Sequence, residues 1–283
     1  MNNKLKFIFI MIMMFSIILT GCSKQLKIPA GQWVKVDESE HFVYYSYEDN
    51  EYDIQEVNSA LKRLENFCEE IVIPAEDKIK YYKFRDKEQM KRLTGRSVTG
   101  KAFIGSNIVH SIYYSDAHEV AHIITTSHLE APENTRVNIS NFWLEGIAMY
   151  YTWPRYYYGE EAEIQSSIGV MEGESVHNHA KKRLEQNELP DVKQFIYRNQ
   201  EFDDLNNVTS YTAAGSFVTY LLGRAQSDPE VIEKYLDFFA EVVKCNSESE
   251  VLTVFANVFN KDFDLVVEEW KEYLKDWDEE SIL

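Results

Sequence analysis

The sequence predicts an α+β fold. An N-terminal mixed sheet with helices leads into a helix carrying H-E-x-x-H, and a mostly α-helical C-terminal lobe follows. Three observations predict it. Runs rich in aromatic and β-branched residues, of strand length, end by Tyr114. Beyond Trp153 the apolar stripes have only helical spacing. Between the two regions stands His118-Glu119-Val120-Ala121-His122.

Residues 1–21 are expected to be a signal peptide. Lys4 and Lys6 give a positive start, and Phe7 to Leu19 is an apolar run of Phe, Ile, Met and Leu with one Ser. That run is too short for an ordinary transmembrane helix and fits a signal-peptide core. It ends in Leu19-Thr20-Gly21-Cys22, which resembles the bacterial lipobox. The resemblance implies cleavage before Cys22, lipidation of that cysteine, and a cell-membrane anchor on the extracytoplasmic face. Several acyl chains, at about 0.8 kcal/mol per buried CH₂, hold firmly.

Residues 22–32 read as a tether, with Pro29 and Gly31. An α+β lobe is expected over 33–127 and a helical lobe over 128–283. Trp33–Val36 and His41–Tyr47 read as strands. In the second, Val43, Tyr45 and Tyr47 share one face and Phe42, Tyr44 and Ser46 the other, with neither face plainly polar. Asp53–Ile71 reads as a helix, Lys78–Phe84 as a strand, and Asp86–Leu93 as a short helix closed by Gly95. Ile108–Tyr114 reads as a further strand. After a loop at 128–139, Ser140 caps a helix over Asn141–Trp153 that Pro154 is expected to stop. Helical patterns follow at 160–170, 175–187, 191–197, 210–225, 229–245, 248–258 and 262–277. Val231, Tyr235, Phe239 and Val243 form one core stripe, and Val266, Trp270, Leu274 and Trp277 another.

Composition excludes some function classes. Without Lys4 and Lys6 the 29 basic residues become 27, against 47 acidic ones, a net charge of −20. Such a chain has no basic patch to neutralise phosphates, so nucleic acid is not an expected partner. Nor would it adhere to anionic lipid by charge, so membrane attachment rests on Cys22. Cys68 and Cys245 would pair in an exported protein, or lie as buried thiols on the apolar sides of their helices. The absence of C-x-x-C argues against a thiolate metal site.

The H-E-x-x-H spacing carries a mechanism. Residues four apart share a helix face, so His118 and His122 can hold one Zn²⁺. Glu119 on the adjoining face is placed to take a proton from the attacking water. Val120, Ile123 and Ile124 form the opposite, core-facing set, which leaves the metal face open to a cleft. Ser115 or Asp116 caps the helix.

A catalytic zinc site needs a third protein ligand, and two candidates compete. One is Glu145, within Phe142-Trp143-Leu144-Glu145-Gly146-Ile147-Ala148. This stretch resembles the W-L-x-E-G-x-A segment of the gluzincin zinc peptidases, especially the peptidase MA-like group. The E-G-x-A core is intact, while Phe142 and Trp143 stand in the Trp and Leu places. Tyr211–Leu221 is similar to the Y-x-x-A-G-S-F-x-x-Y-L helix of that group, and the stretch from Val258 to Leu274 to its closing E-E-W-x-x-Y-L helix. The resemblance spans roughly 100–275. It implies a zincin-like fold, peptide hydrolysis, Glu145 as third ligand and Tyr211 as oxyanion donor. It also leads one to expect an acid four residues past the Glu, where this chain has Met149, so Asp116 or Glu130 would orient the ligand histidines. The strand before the metal helix, near Gly100–Ile104 or Val109–Tyr113, would pair with a peptide or protein substrate or simply with its neighbours in the sheet.

The other candidate is His128, six residues past His122 as in metzincins, although Thr125 occupies the turn-glycine place. A third reading is a non-catalytic zinc-containing lipoprotein that binds a peptide or protein partner. His177-x-His179 reads as a solvated helix face or a surface metal pair.

Overall fold

A computed structural model of the protein describes residues 31–70, 77–127, 139–158, 175–197, 207–223 and 229–278. The expected signal peptide, Cys22, most of the expected tether, His128, Glu130 and the helix expected over 160–170 lie outside them.

The fold is α+β. Strands β1 (Trp33–Glu38), β2 (Phe42–Tyr47), β3 (Ile79–Lys83), β4 (Gly100–Phe103) and β5 (Ile108–Ser111) form one mixed sheet in the order β1-β2-β3-β5-β4. β2, β3 and β5 run parallel, and the outer strands β1 and β4 are antiparallel to their neighbours. Helix α1 (Ile54–Glu70) makes the crossover from β2 to β3, and α2 (Lys87–Thr94) follows β3. α2 is capped by Asp86, which accepts from Gln89 N–H at 2.7 Å, and ends at Gly95 with φ +79°.

Both faces of the sheet are covered, which explains why β2 lacked a polar face. Phe42, Tyr44, Ile79, Tyr81 and Val109 pack against α1 through Val57, Leu61, Leu64 and Phe67. The other face places Tyr82, Phe84, Phe103 and Ile108 with Met90 of α2. Trp33 and Tyr45 pack on that second cluster, and the Tyr45 and Tyr82 rings stack at 4.8 Å.

Helix α3 (Ala117–Thr126) carries the histidines, and α4 (Asn141–Tyr158) follows it. α4 runs on through Pro154 instead of stopping there. A proline removes one helical hydrogen bond and bends a helix without obliging it to end. Then come α5 (Val176–Glu185), a 3₁₀ turn (Val192–Phe195), α6 (Asn207–Leu222), α7 (Pro229–Val242), α8 (Glu248–Phe259) and α9 (Phe263–Asp276). Trp143 of α4, Phe217 of α6, Phe238 of α7, Phe255 of α8 and Trp270 of α9 share the helical core. Both apolar stripes read from the sequence contribute to it.

Both cysteines are buried thiols outside any disulfide, Cys68 in the sheet core and Cys245 in the helical core. The disulfide alternative is therefore set aside, because the two residues belong to separate clusters. Burial pushes the Cys68 thiol up to about 12, so it is inert as a nucleophile.

His177 is buried and not on a solvated face. Its Nδ1 lies 3.0 Å from Ser216 Oγ, which also accepts from Trp270 Nε1 at 3.0 Å. Burial lowers its pKa from 6.5 to about 3. Above pH ~6.5 the imidazole is neutral both folded and unfolded. Below it, the unfolded chain binds a proton that the folded chain refuses. Stability should therefore fall between pH ~6.5 and ~3, by up to about 1.4 kcal/mol per unit. Urea midpoints measured at pH 7, 6 and 5 should decline less steeply in His177→Gln than in the parent. Parallel slopes would refute the assignment.

Candidate metal centre

The loop between β5 and α3 is pinned before the helix begins. Tyr44 and Tyr81, stacked at 5.1 Å, donate their hydroxyls to the carbonyls of Tyr114 and Tyr113, each at 3.0 Å. Arg63 of α1 donates to Ser115 Oγ at 3.3 Å. Asp116 is the helix cap: its Oδ1 accepts from Glu119 N–H at 3.4 Å and its Oδ2 from the Ser111 hydroxyl at 2.8 Å. Burial, then the Glu119 charge, push the Asp116 carboxyl up to about 8, against the pull of these bonds.

Every residue of α3 is buried, the metal face included. The expected open face is thus a correction: α3 lies against the sheet on one side and against α4 on the other. Thr125 is still helical and its hydroxyl donates to the Ala121 carbonyl at 2.7 Å. No turn forms at the place where the metzincin spacing requires a glycine.

α4 delivers the third group. Ser140 accepts from Phe142 N–H at 3.2 Å at its start, and Trp143 Nε1 donates to the Ile196 carbonyl at 3.0 Å. Glycines then let α4 and α6 approach closely. A Cβ on Gly146 would stand 2.4 Å from Val218 Cγ2 and 2.9 Å from the Ala214 carbonyl oxygen. One on Gly215 would stand 2.9 Å from Met149 Cβ. Met149 is therefore packing at this crossing, which accounts for an apolar residue where the resemblance leads one to expect an acid.

His118, His122 and Glu145 converge. Glu145 Oε2 lies 2.9 Å from His118 Nε2 and 3.4 Å from His122 Nε2, and one ligand atom from each residue falls within 4.8 Å of the others. The two imidazole rings stand 4.8 Å apart, nearly perpendicular at 84°. Tetrahedral ligation at ~2.0–2.1 Å separates neighbouring donors by about 3.3 Å. The set, two nitrogens and one carboxylate oxygen, fits a divalent ion with three protein ligands. Among the described residues it is the group of this kind.

Burial opposes charge on both partners, yet the ion pair prevails. For His122 burial is the largest single influence and lowers the pKa, but the Glu145 charge, the bond to Glu145 and the Glu119 charge together raise it. For Glu145 the His122 charge and the bonds to both imidazoles hold the carboxyl well below its usual range. Metal uptake needs neutral imidazoles, so it competes with that proton.

Asp116 does not orient the ligand histidines. Among the described residues the buried Nδ1 atoms of His118 and His122 meet no hydrogen-bond partner, and the Asp116 oxygens serve the cap and Ser111. The Tyr211 ring, on the first turns of α6, lies 6.2 Å from the His118 ring.

Glu119 is buried, and its Oε2 accepts from the Ala102 backbone N–H of β4 at 2.6 Å. Neither Ala102 nor Gly100 was singled out from the sequence. A glycine inside a strand signals a close approach, and Gly100 marks one. β5 lies between β3 and β4, so Val109–Tyr113 is not an edge. Of the two stretches expected to pair with substrate, that of β4 lies at the sheet edge among the described residues, and Glu119 takes its outward Ala102 N–H.

Compared with models of known protein families and with curated proteins, the chain finds no match in either.

Proposed function

We propose that the protein is a zinc-dependent peptidase with a zincin-like arrangement, tethered by lipidated Cys22 to the outer face of a bacterial membrane. The observation that carries this reading is the convergence of His118, His122 and Glu145, with Glu119 beside the first histidine. A purely structural metal site has no use for that extra acid.

His118, His122 and Glu145 would hold the zinc, which when bound would supply Lewis acidity to a carbonyl oxygen and bring the pKa of water toward ~7. His118 and His122 serve as neutral donors, and Glu145 brings the compensating charge. Glu119 takes a proton from the attacking water and passes it to the leaving amine. Tyr211 is the donor assigned to the oxyanion. An extended peptide pairs with groups of the β4 edge other than the Ala102 N–H, which Glu119 holds.

The test uses the mature chain with stoichiometric zinc, incubated with dye-quenched casein and a mixed peptide library. Cleavage should stop with a chelator and return with zinc. Glu119→Gln should lower kcat by roughly 10²–10⁴-fold while zinc content stays unchanged. If the zinc-loaded parent cleaves neither, the peptidase reading fails and a zinc-containing binding protein takes its place.

A further inference from the structure

We infer that strand β4 positions Glu119: the Ala102 N–H holds its carboxylate, and Gly100 must lack a side chain for the carboxylate to lie there. The catalytic consequence rests on the peptidase reading; the placement does not.

Helical spacing aims a Glu at one side of α3, but three rotatable bonds leave its carboxylate undirected. The sheet supplies the direction. Among the described residues β4 is an edge strand, paired with β5 alone. Ile112 N–H donates to the Thr99 carbonyl at 2.9 Å. In an antiparallel pair bonded and non-bonded residues alternate. With Lys101 opposite His110 and Phe103 opposite Ile108, those pairs carry the ladder bonds and Ala102 points its N–H outward. Glu119 Oε2 takes that N–H at 2.6 Å, in a buried setting where a bond to a charged acceptor is strong. A Cβ on Gly100 would stand 2.5 Å from Asp116 Oδ2, 2.8 Å from Glu119 Cγ and 2.9 Å from Glu119 Oε1. One missing side chain thus makes room for both the helix cap and the base. Ala102 and Gly100 are positioning residues.

Two variants and one exchange measurement test this. Ala102→Pro removes the donor without touching a ladder bond, and proline is tolerated on edge strands. Gly100→Ala fills the space instead. Both should retain stoichiometric zinc, cleave quenched casein with kcat lowered about 10²-fold, and keep KM within about twofold. In Glu119→Ala, the Ala102 amide should exchange roughly 10-fold faster than in the parent, with the Lys101 and Phe103 amides unchanged. Unaltered kcat in both variants, or unaltered Ala102 exchange, overturns the proposal. If Ala102→Pro does not fold, Gly100→Ala and the exchange decide it. If the parent cleaves nothing, only the peptidase reading falls, and the exchange still decides the placement.

Discussion

Glu145→Ala is expected to empty the metal centre and abolish turnover together. Glu145 is the only carboxylate in the converging set of described residues, 2.9 and 3.4 Å from the two imidazoles. Its removal leaves two neutral ligands and no compensating charge. The loss of affinity should exceed the about 10–100-fold that follows loss of a partner outside the ligand set. Zinc measured by mass spectrometry after gel filtration should fall from stoichiometric to near zero. The chain should stay folded, because Glu145 belongs to the metal group and not to the apolar contacts of α4. His128→Ala serves as the comparison and should keep its zinc. If Glu145→Ala retains zinc and His128→Ala loses it, the third ligand is the histidine and the gluzincin-like assignment is wrong.

Gly146→Ala should be the most damaging small substitution in the helical half. In an open helix the change would stabilise by about 1 kcal/mol. Here the new Cβ meets Val218 Cγ2 at 2.4 Å and the Ala214 carbonyl oxygen at 2.9 Å, so α4 and α6 must separate. Overpacking of this kind costs about 1–3 kcal/mol, occasionally more. We expect a Tm lower by roughly 4–8 °C and weaker zinc binding, because Glu145 moves with its helix. Trimming the facing side chain should relieve part of the strain. Gly146→Ala/Val218→Ala should therefore lie above the sum of the single losses, a coupling that a double-mutant cycle measures. Additive losses, or a Tm raised by Gly146→Ala, would contradict a close helix crossing.

Several features were legible because their causes are local. The tyrosine-rich run of β2, the Asp86 and Gly95 boundaries of α2 and the Asp116 cap of α3 reflect forces within a few residues. Pro154 misled for the complementary reason: its local preference is to end a helix, and α4 carries on past it. His177 misled too, since a polar residue in a polar stretch gives no sign that Ser216 and the rings of Tyr273 and Trp277 will enclose it.

What the sequence determined by itself about this protein is the inventory. Two histidines one helical turn apart, an acid between them and a second acid downstream are properties of spacing, and spacing is written in the chain. Only the tertiary structure decided that Glu145 reaches those histidines, that Glu119 is turned toward the edge of the sheet, and that Asp116 serves the cap instead of the imidazoles. Those outcomes depend on how closely α4 can approach α6 and on which side of β4 is left unpaired. Both are set by contacts between residues far apart in sequence, where local periodicity has nothing to report.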